Sequence, residues 1–292
     1  MPRFFRFSPW LLVLPALGLR CFTAILPLVQ NFLLSLRDFH LVKGSNVFVG
    51  FANYAALFRD PRVIDSITFT LLFVVLSTLF HFLFGILIAL LLNVNWRARS
   101  LLRTVNLLPW AVPTIAIALA ARYMLQKDFG LINDLYQLFT GMRRDWLGSI
   151  WGARFAVIAF DVWKNVPFLA IVVLAGLQGL PEEILEAAMV DGASRIRTFF
   201  KIVLPLLSPI LATLLIFVSL FRLMSFDIVY GLTRGGPGTS TALLSYRAYY
   251  DAFNALNFGY AATEAFLLFI MVAVLGGLCF WILLFLRRRY FE

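Results

Sequence analysis

Charge is scarce in this chain. Of 292 residues only 14% are charged, against about 25% in a soluble domain, while 62% are hydrophobic and 31 are Phe. That balance excludes a soluble globular enzyme. Histidine occurs twice, at 40 and 81, in separate stretches, so no clustered metal ligands and no His-based nucleophile–base pair can be assembled. The two cysteines, Cys21 and Cys279, lie in apolar runs far apart; they read as small buried hydrophobes and provide no disulfide framework. A nucleotide-binding P-loop is missing too. Gly235-Gly-Pro-Gly-Thr239 lacks the lysine and does not join a strand to a helix. The net charge of +10 is compatible with nucleic acid, but the bases flank apolar runs, where they set topology and meet anionic lipid.

What remains is oil in six lengths. Residues 66–96 contain no Asp, Glu, Lys or Arg, more than the ~20 residues a helix needs to span a bilayer. Spans are expected over residues 9–36, 67–93, 104–125, 153–178, 206–230 and 259–286. The first follows a basic start (Arg3, Arg6) and carries Arg20, with bends expected at Pro15 and Pro27. A signal peptide is the competing reading, but the apolar run resumes after Arg20 and no small-residue cleavage site is evident. The basic segment with Arg97, Arg99 and Arg103 and the triplet Arg287–Arg289 fall on one side, which the positive-inside rule makes cytoplasmic, along with both termini. The expectation is an all-α integral membrane protein of one transmembrane domain, residues 1–292.

Between the fourth and fifth spans lies one long charged segment, residues 179–205. Pro181 followed by Glu182 and Glu183 suits a helix start. Ile184, Leu185, Ala188 and Met189 share a face, and Gly192 reads as the left-handed C-terminal cap. A second short helix carries Ile196, Phe199, Phe200 and Val203 at i, i+3, i+4, i+7, with Arg195, Arg197 and Lys201 opposite, before Pro205 opens the next span. Two short helices joined at Gly192 make a docking element. The alternative is an amphipathic loop lying on lipid headgroups.

The segment Glu186-Ala-Ala, three residues, Gly192, nine residues, Ile202-Val-Leu-Pro205 is similar to the EAA loop of binding-protein-dependent ABC import permeases. Val49-Gly-Phe-Ala-Asn-Tyr54, Leu107-Leu-Pro-Trp-Ala-Val-Pro113, Val162-Trp-Lys-Asn-Val-Pro-Phe168, Leu174-Ala-Gly-Leu-Gln178, Leu232-Thr-Arg-Gly-Gly-Pro-Gly-Thr-Ser-Thr241 and Phe258-Gly-Tyr-Ala-Ala262 place the resemblance in the carbohydrate-uptake branch, near the first permease of maltose-type importers. The resemblance implies a coupling loop in which Glu186, Ala187, Ala188, Asp191, Gly192, Arg195, Phe199, Ile202, Leu204 and Pro205 dock on an ATPase. It implies a second related permease, two copies of a P-loop ABC ATPase and an extracytoplasmic solute-binding protein as partners. ATP and Mg would sit on the ATPase, with no cofactor in this chain, and alternating access in a bacterial or archaeal cytoplasmic membrane would move a sugar or related polyol.

Ionisable groups inside a membrane are costly and default to functional candidates. Arg122, Asp161, Lys164, Arg222, Asp227 and Glu264 all fall in the outer halves of the expected spans. Asp161, Lys164, Asn165, Arg222, Phe226, Asp227, Tyr230 and Glu264 are the candidates for a solute pathway, with Trp163 and Tyr260 as further aromatic faces. Asp161 and Lys164, three apart on one face, are expected to neutralise each other. Ion pairs that lock helices together remain the alternative for each of these charges. His81 is expected to be hydrogen-bonded packing, and Arg20 to meet a carboxylate or carbonyl of a neighbouring helix. A self-powered secondary transporter or channel is the other functional class, and it leaves the two-helix loop unexplained.

Overall fold

The structure, a computed structural model, describes residues 8–95 and 97–291. Arg3, Arg6 and Trp96 lie outside the described residues, as do the side chains of Arg287–Arg289. Among the described residues five helices are long and apolar enough to cross a membrane, and a bent pair makes a sixth crossing if taken as one span. The chain divides into two compact units. One is built from residues up to Ile64 with Arg247–Ile270, the other from Asp65–Tyr246 with the chain from Met271 on.

In the first unit, α1 (Ser8–Arg20) and α2 (Leu26–Ser35) are joined by a π-turn over Cys21–Ile25. The departure from α geometry comes two residues before Pro27, whose ring supplies no N–H to the ladder. Arg20 is exposed at this turn, contrary to the partner expected for it. The stretch read as a mixed loop holds an antiparallel hairpin, β1 (Arg37–His40) with β2 (Ser45–Phe48), and a short helix α3 (Ala52–Leu57). Ser35, fully buried at the end of α2, is the knot of this unit. Its hydroxyl pairs with the Tyr54 hydroxyl at 2.7 Å, and its carbonyl accepts from Asn53 Nδ2 at 2.9 Å and Thr263 Oγ1 at 3.2 Å. Thr263 belongs to α14 (Phe258–Phe291), whose second residue, Gly259, passes so near β1 that a Cβ there would stand 2.0 Å from the Arg37 carbonyl oxygen.

A second device in this unit is ionic. Arg247 and Asp251 of α13 (Leu244–Phe253) meet Glu264 of α14 and Asp60, with Arg247 3.0 Å from Asp251 and 3.3 Å from Glu264. Asp60 also takes a 2.8 Å pair from Arg62 and a hydrogen bond from the Tyr260 hydroxyl at 3.4 Å. Glu264 is completely buried here. The Arg62 guanidinium holds the Asp60 carboxyl below its usual 3.8, whereas burial pushes Asp251 up.

The second unit contains α4 (Pro61–Asn93) from Asp65 on, α5 (Arg99–Ala111), α6 (Thr114–Met124), α7 (Leu131–Thr140), α8 (Ile150–Gln178), α9 (Glu182–Val190), α10 (Arg195–Thr198), α11 (Leu204–Leu223) and α12 (Asp227–Leu232). The inward face of α4 mixes small and polar groups with aromatic ones: Ser66, Thr70, Ser77, Thr78, His81 and Ala89 are buried beside Phe69 and Phe73. Its outward face is Leu71, Val75, Leu79, Leu83, Leu87 and Leu91, all exposed. That is the pattern of a membrane helix, with small and hydrogen-bonding groups at the helix contacts and aliphatic residues against lipid.

Two expected spans differ from the chain as folded. The third, residues 104–125, is not one helix: α5 and α6 meet at 88°. Pro113 forces the residue before it out of the helical region, and Val112 sits at φ −76°, ψ 138°. The fifth begins earlier and ends sooner than residues 206–230. A helix runs unbroken from Arg195 to Leu223, passing through a π-turn at Phe199–Val203 just before Pro205, so the second helix of the charged loop is the root of the span itself. The Leu204 N–H reaches back to the Phe199 carbonyl, which lets the ladder pass the proline. Beyond Leu223 the chain turns and starts α12.

The two carboxylates of the first unit give opposite pH signatures. Asp60 has a lowered folded pKa, so its contribution is complete above about pH 4 and is lost as pH falls through that lowered value. Asp251 has a raised one, so its contribution is greatest in acid and declines as pH rises above about 4. In a thermal-shift series, Asp60→Asn is expected to melt below the wild type at neutral pH and converge on it in acid. Asp251→Asn is expected to melt no lower than the wild type at neutral pH.

Candidate functional site

Two features of the second unit fit a functional site: an exposed foot and a buried ionic network. The foot is α9 and the start of the Arg195–Leu223 helix. Ser194 caps the second helix of the foot, accepting from the Arg197 N–H. Gly192 adopts φ +73°, and the bonds Gly192 N to Met189 O and Ala193 N to Ala188 O close the C-terminal turn of α9. Glu186, Ala187, Asp191, Gly192, Arg195 and Pro205 are exposed, Phe199, Ile202 and Leu204 half-buried. Ala188, unlike Ala187, is buried. Beside them stand apolar side chains missing from the expected set: Met189, Val190 (88% exposed), Ile196 (73% exposed) and Phe200.

The ionic network joins three helices. Arg222 of α11 donates from Nη1 to Asp161 Oδ1 of α8 at 2.9 Å. Asn165 adds a bond from Nδ2 to the Asp161 carbonyl at 2.9 Å. His81 of α4 places Nδ1 2.6 Å from the Ser77 carbonyl oxygen, which assigns the proton to Nδ1 and turns the Nε2 lone pair toward Arg222 Nη2 at 3.5 Å. Hydrogen-bonded packing therefore describes His81, as expected.

Lys164 does not pair with Asp161. Its ammonium donates to the Trp110 carbonyl at 3.3 Å, at the end of α5. The break before Pro113 leaves the last carbonyls of α5 without helical donors, and a cation there also meets the negative end of the helix dipole. The neutralising partner of Asp161 is Arg222, 61 residues away in sequence, a pairing invisible to helix-face spacing. Asp161 Oδ2 and Arg222 Nε, both buried, have no protein partner.

Phe226, Asp227 and Tyr230 gather at α12. Phe226 and Tyr230 stack at 5.3 Å, each also near Tyr246, while Asp227 is exposed in the first turn. Arg122 lies in the last turn of α6. Glu264 is not with them: it belongs to the first unit, ion-paired to Arg247. Arg247 went unnamed in the sequence reading, although Asp251 at i+4 was a signal for it. Along α4, α5 and α8 an apolar groove of about 690 Å³ opens, with Phe80, Asn106, Arg154 and Trp163 among its walls.

Residues 81–291 match the family described as the binding-protein-dependent transport system inner membrane component. The chain belongs to that family. The trehalose/maltose transport system permease protein MalF of Thermococcus litoralis is 36% identical over 264 residues, covering 90% of this chain and 89% of the relative. The sulfoquinovosyl glycerol transport system permease protein SmoG of Agrobacterium fabrum is 34% identical over 260 residues, covering 89% and 84%. The sn-glycerol-3-phosphate transport system permease protein UgpA of Pectobacterium atrosepticum is 32% identical over 272 residues, covering 90% of each. A solved bacterial alginate ABC transporter, in complex with its alginate pentasaccharide-bound periplasmic protein, has the same fold. There the TM-score is 0.82 at 23% identity, covering 93% of this chain and 92% of that one. The inward-facing MetNI methionine transporter overlaps less, with a TM-score of 0.55 at 19% identity over 76% of this chain. This permease is thus a multi-pass subunit of an ABC importer and not itself an enzyme.

Removing one member of a buried pair strands the other charge in a dry interior, which costs about 3–5 kcal/mol, whereas replacing both by apolar residues is close to neutral. Asp161→Leu or Arg222→Met alone is therefore expected to destabilise the detergent-solubilised permease by that amount, and the double variant to recover most of it. Chemical unfolding of the four proteins in one double-mutant cycle checks this.

Proposed function

We propose that this permease forms half of the translocation pathway for a polyhydroxylated solute, a sugar or related polyol, delivered by an extracytoplasmic binding protein. The second half is a related permease, and two copies of an ATPase, which carry the ATP and magnesium, dock on the foot. The membrane is the cytoplasmic one, with both termini and the foot inside. The solutes in the relatives' descriptions share dense hydroxyl groups, which supports the solute class. In this reading Asp161, Asn165 and Arg222 offer the unsatisfied acceptor and donor a hydroxyl needs, and Phe226 and Tyr230 an aromatic face for the apolar side of a sugar ring. Lys164 holds the elbow at α5, and Asp227 stands at the rim.

The observation that carries the coupling is the single helix from Arg195 to Leu223. It is 29 residues long, about 43 Å at 1.5 Å per residue, and joins the foot at one end to the Asp161 pair at the other. Force applied at the foot reaches Arg222 through one rigid element. Docking on an ATPase also suits the surface better than lying on lipid. α9 carries Glu182, Glu183 and Glu186 and no base, which anionic headgroups repel, while Val190, Ile196 and Phe200 ask for an apolar cleft. By linkage, whatever favours one state at the solute end favours the matching ATPase state at the foot.

Gly192→Asp adds a side chain at a left-handed position, and Glu186→Lys reverses an exposed charge. Each variant is expected to insert normally and to lose most transport together with solute-stimulated ATPase activity. Retention of both activities by either variant in the reconstituted importer would remove the foot as the coupling element.

A further inference from the structure

The segment between α6 and α8 holds a surface that importer function leaves unused. α7 shows three sides. Ile132 and Tyr136 pack inward, Ile132 against the apolar core and Tyr136 edge-on to Trp146 at 5.3 Å. Asp134, Gln137 and Thr140 form a polar side, with Asp134 and Gln137 both bonded to Arg143. The remaining side is an exposed apolar stripe, Leu131, Leu135, Leu138 (80% exposed) and Phe139 (88% exposed), spaced i, i+4, i+7, i+8.

The position of α7 is fixed by one buried amide. Asn133, fully buried, donates through Nδ2 to the carbonyls of Leu125 (3.3 Å) and Gln126 (2.9 Å) just after α6. Its Oδ1 accepts from the Arg144 N–H (3.0 Å) and Trp146 Nε1 (3.1 Å), just before α8. All four hydrogen-bonding positions of the amide are filled. α7 is thereby clamped between the end of α6 and the start of the 29-residue candidate span α8, whose first residues, Ile150 and Trp151, are exposed. An aromatic there marks the headgroup boundary.

We propose that α7 is an interfacial helix, its Leu131–Leu135–Leu138–Phe139 stripe set into the phospholipid acyl boundary and its Asp134–Gln137–Thr140 side in water. A helix packed on protein along one side, aliphatic on the second and polar on the third fits a water–lipid boundary beside a protein wall. Trp151 and Phe155, near the start of the next span in sequence, are exposed apolar residues as well.

Spin labels test this directly. Leu138→Cys, Phe139→Cys, Gln137→Cys and Thr140→Cys are made singly in a Cys21→Ser, Cys279→Ser background. The full-length permease is labelled in phospholipid nanodiscs with its co-expressed partner subunits. The expected result is collision with dissolved oxygen exceeding collision with a water-soluble nickel chelate several-fold at 138 and 139, and the reverse at 137. Nickel accessibility at 138 and 139 equal to that at 137 would place the stripe in water and overturn the proposal. Low accessibility to both probes at 138 and 139 would place it against another subunit and overturn it equally. Either failure leaves the coupling at Glu186 and Gly192 standing, because neither residue is touched.

Discussion

A charge in hydrocarbon has to be answered by another charge or by a full set of hydrogen bonds, and the second unit is arranged around one such answer. The Asp161–Arg222 pair lies in the middle of a bundle whose lipid face is aliphatic. Removing either partner would leave the other charge buried without an ion partner. The pair therefore fixes the register of α11 against α8. His81 of α4 adds a third helix to the contact, its Nε2 facing Arg222 Nη2 at 3.5 Å. The elbow between α5 and α6 is secured from the same turn of α8, by Lys164.

The first unit solves the same problem differently. Three carboxyl groups, Asp60, Asp251 and Glu264, share Arg247 and Arg62. This cluster ties α13, α14 and the start of α4. A carboxylate inside a membrane span is thus no sure sign of a pathway.

Much of this was legible in the chain itself. Span number followed from the charge-free runs, and the foot from Pro181, Gly192 and the i, i+3, i+4, i+7 stripe. The rest depended on what three-dimensional contact adds. Local spacing pointed Asp161 at Lys164, but the break at Pro113 creates an orphaned carbonyl that competes for the lysine, and Arg222 arrives from another helix. The proline at 205 suggested a helix start because the interior of an α-helix tolerates proline poorly. The chain instead spends one extra residue in a π-turn and carries the helix through. Asn133 carried no periodic signal, since a clamp built from one amide has none.

Among the described residues two π-turns each precede a proline by two residues, at Cys21–Ile25 and at Phe199–Val203. Such a turn holds one residue more than the α-helix around it needs. At Phe199–Val203 that extra residue lets the ladder run past Pro205, so the chain that begins at Arg195 reaches Arg222 without a break.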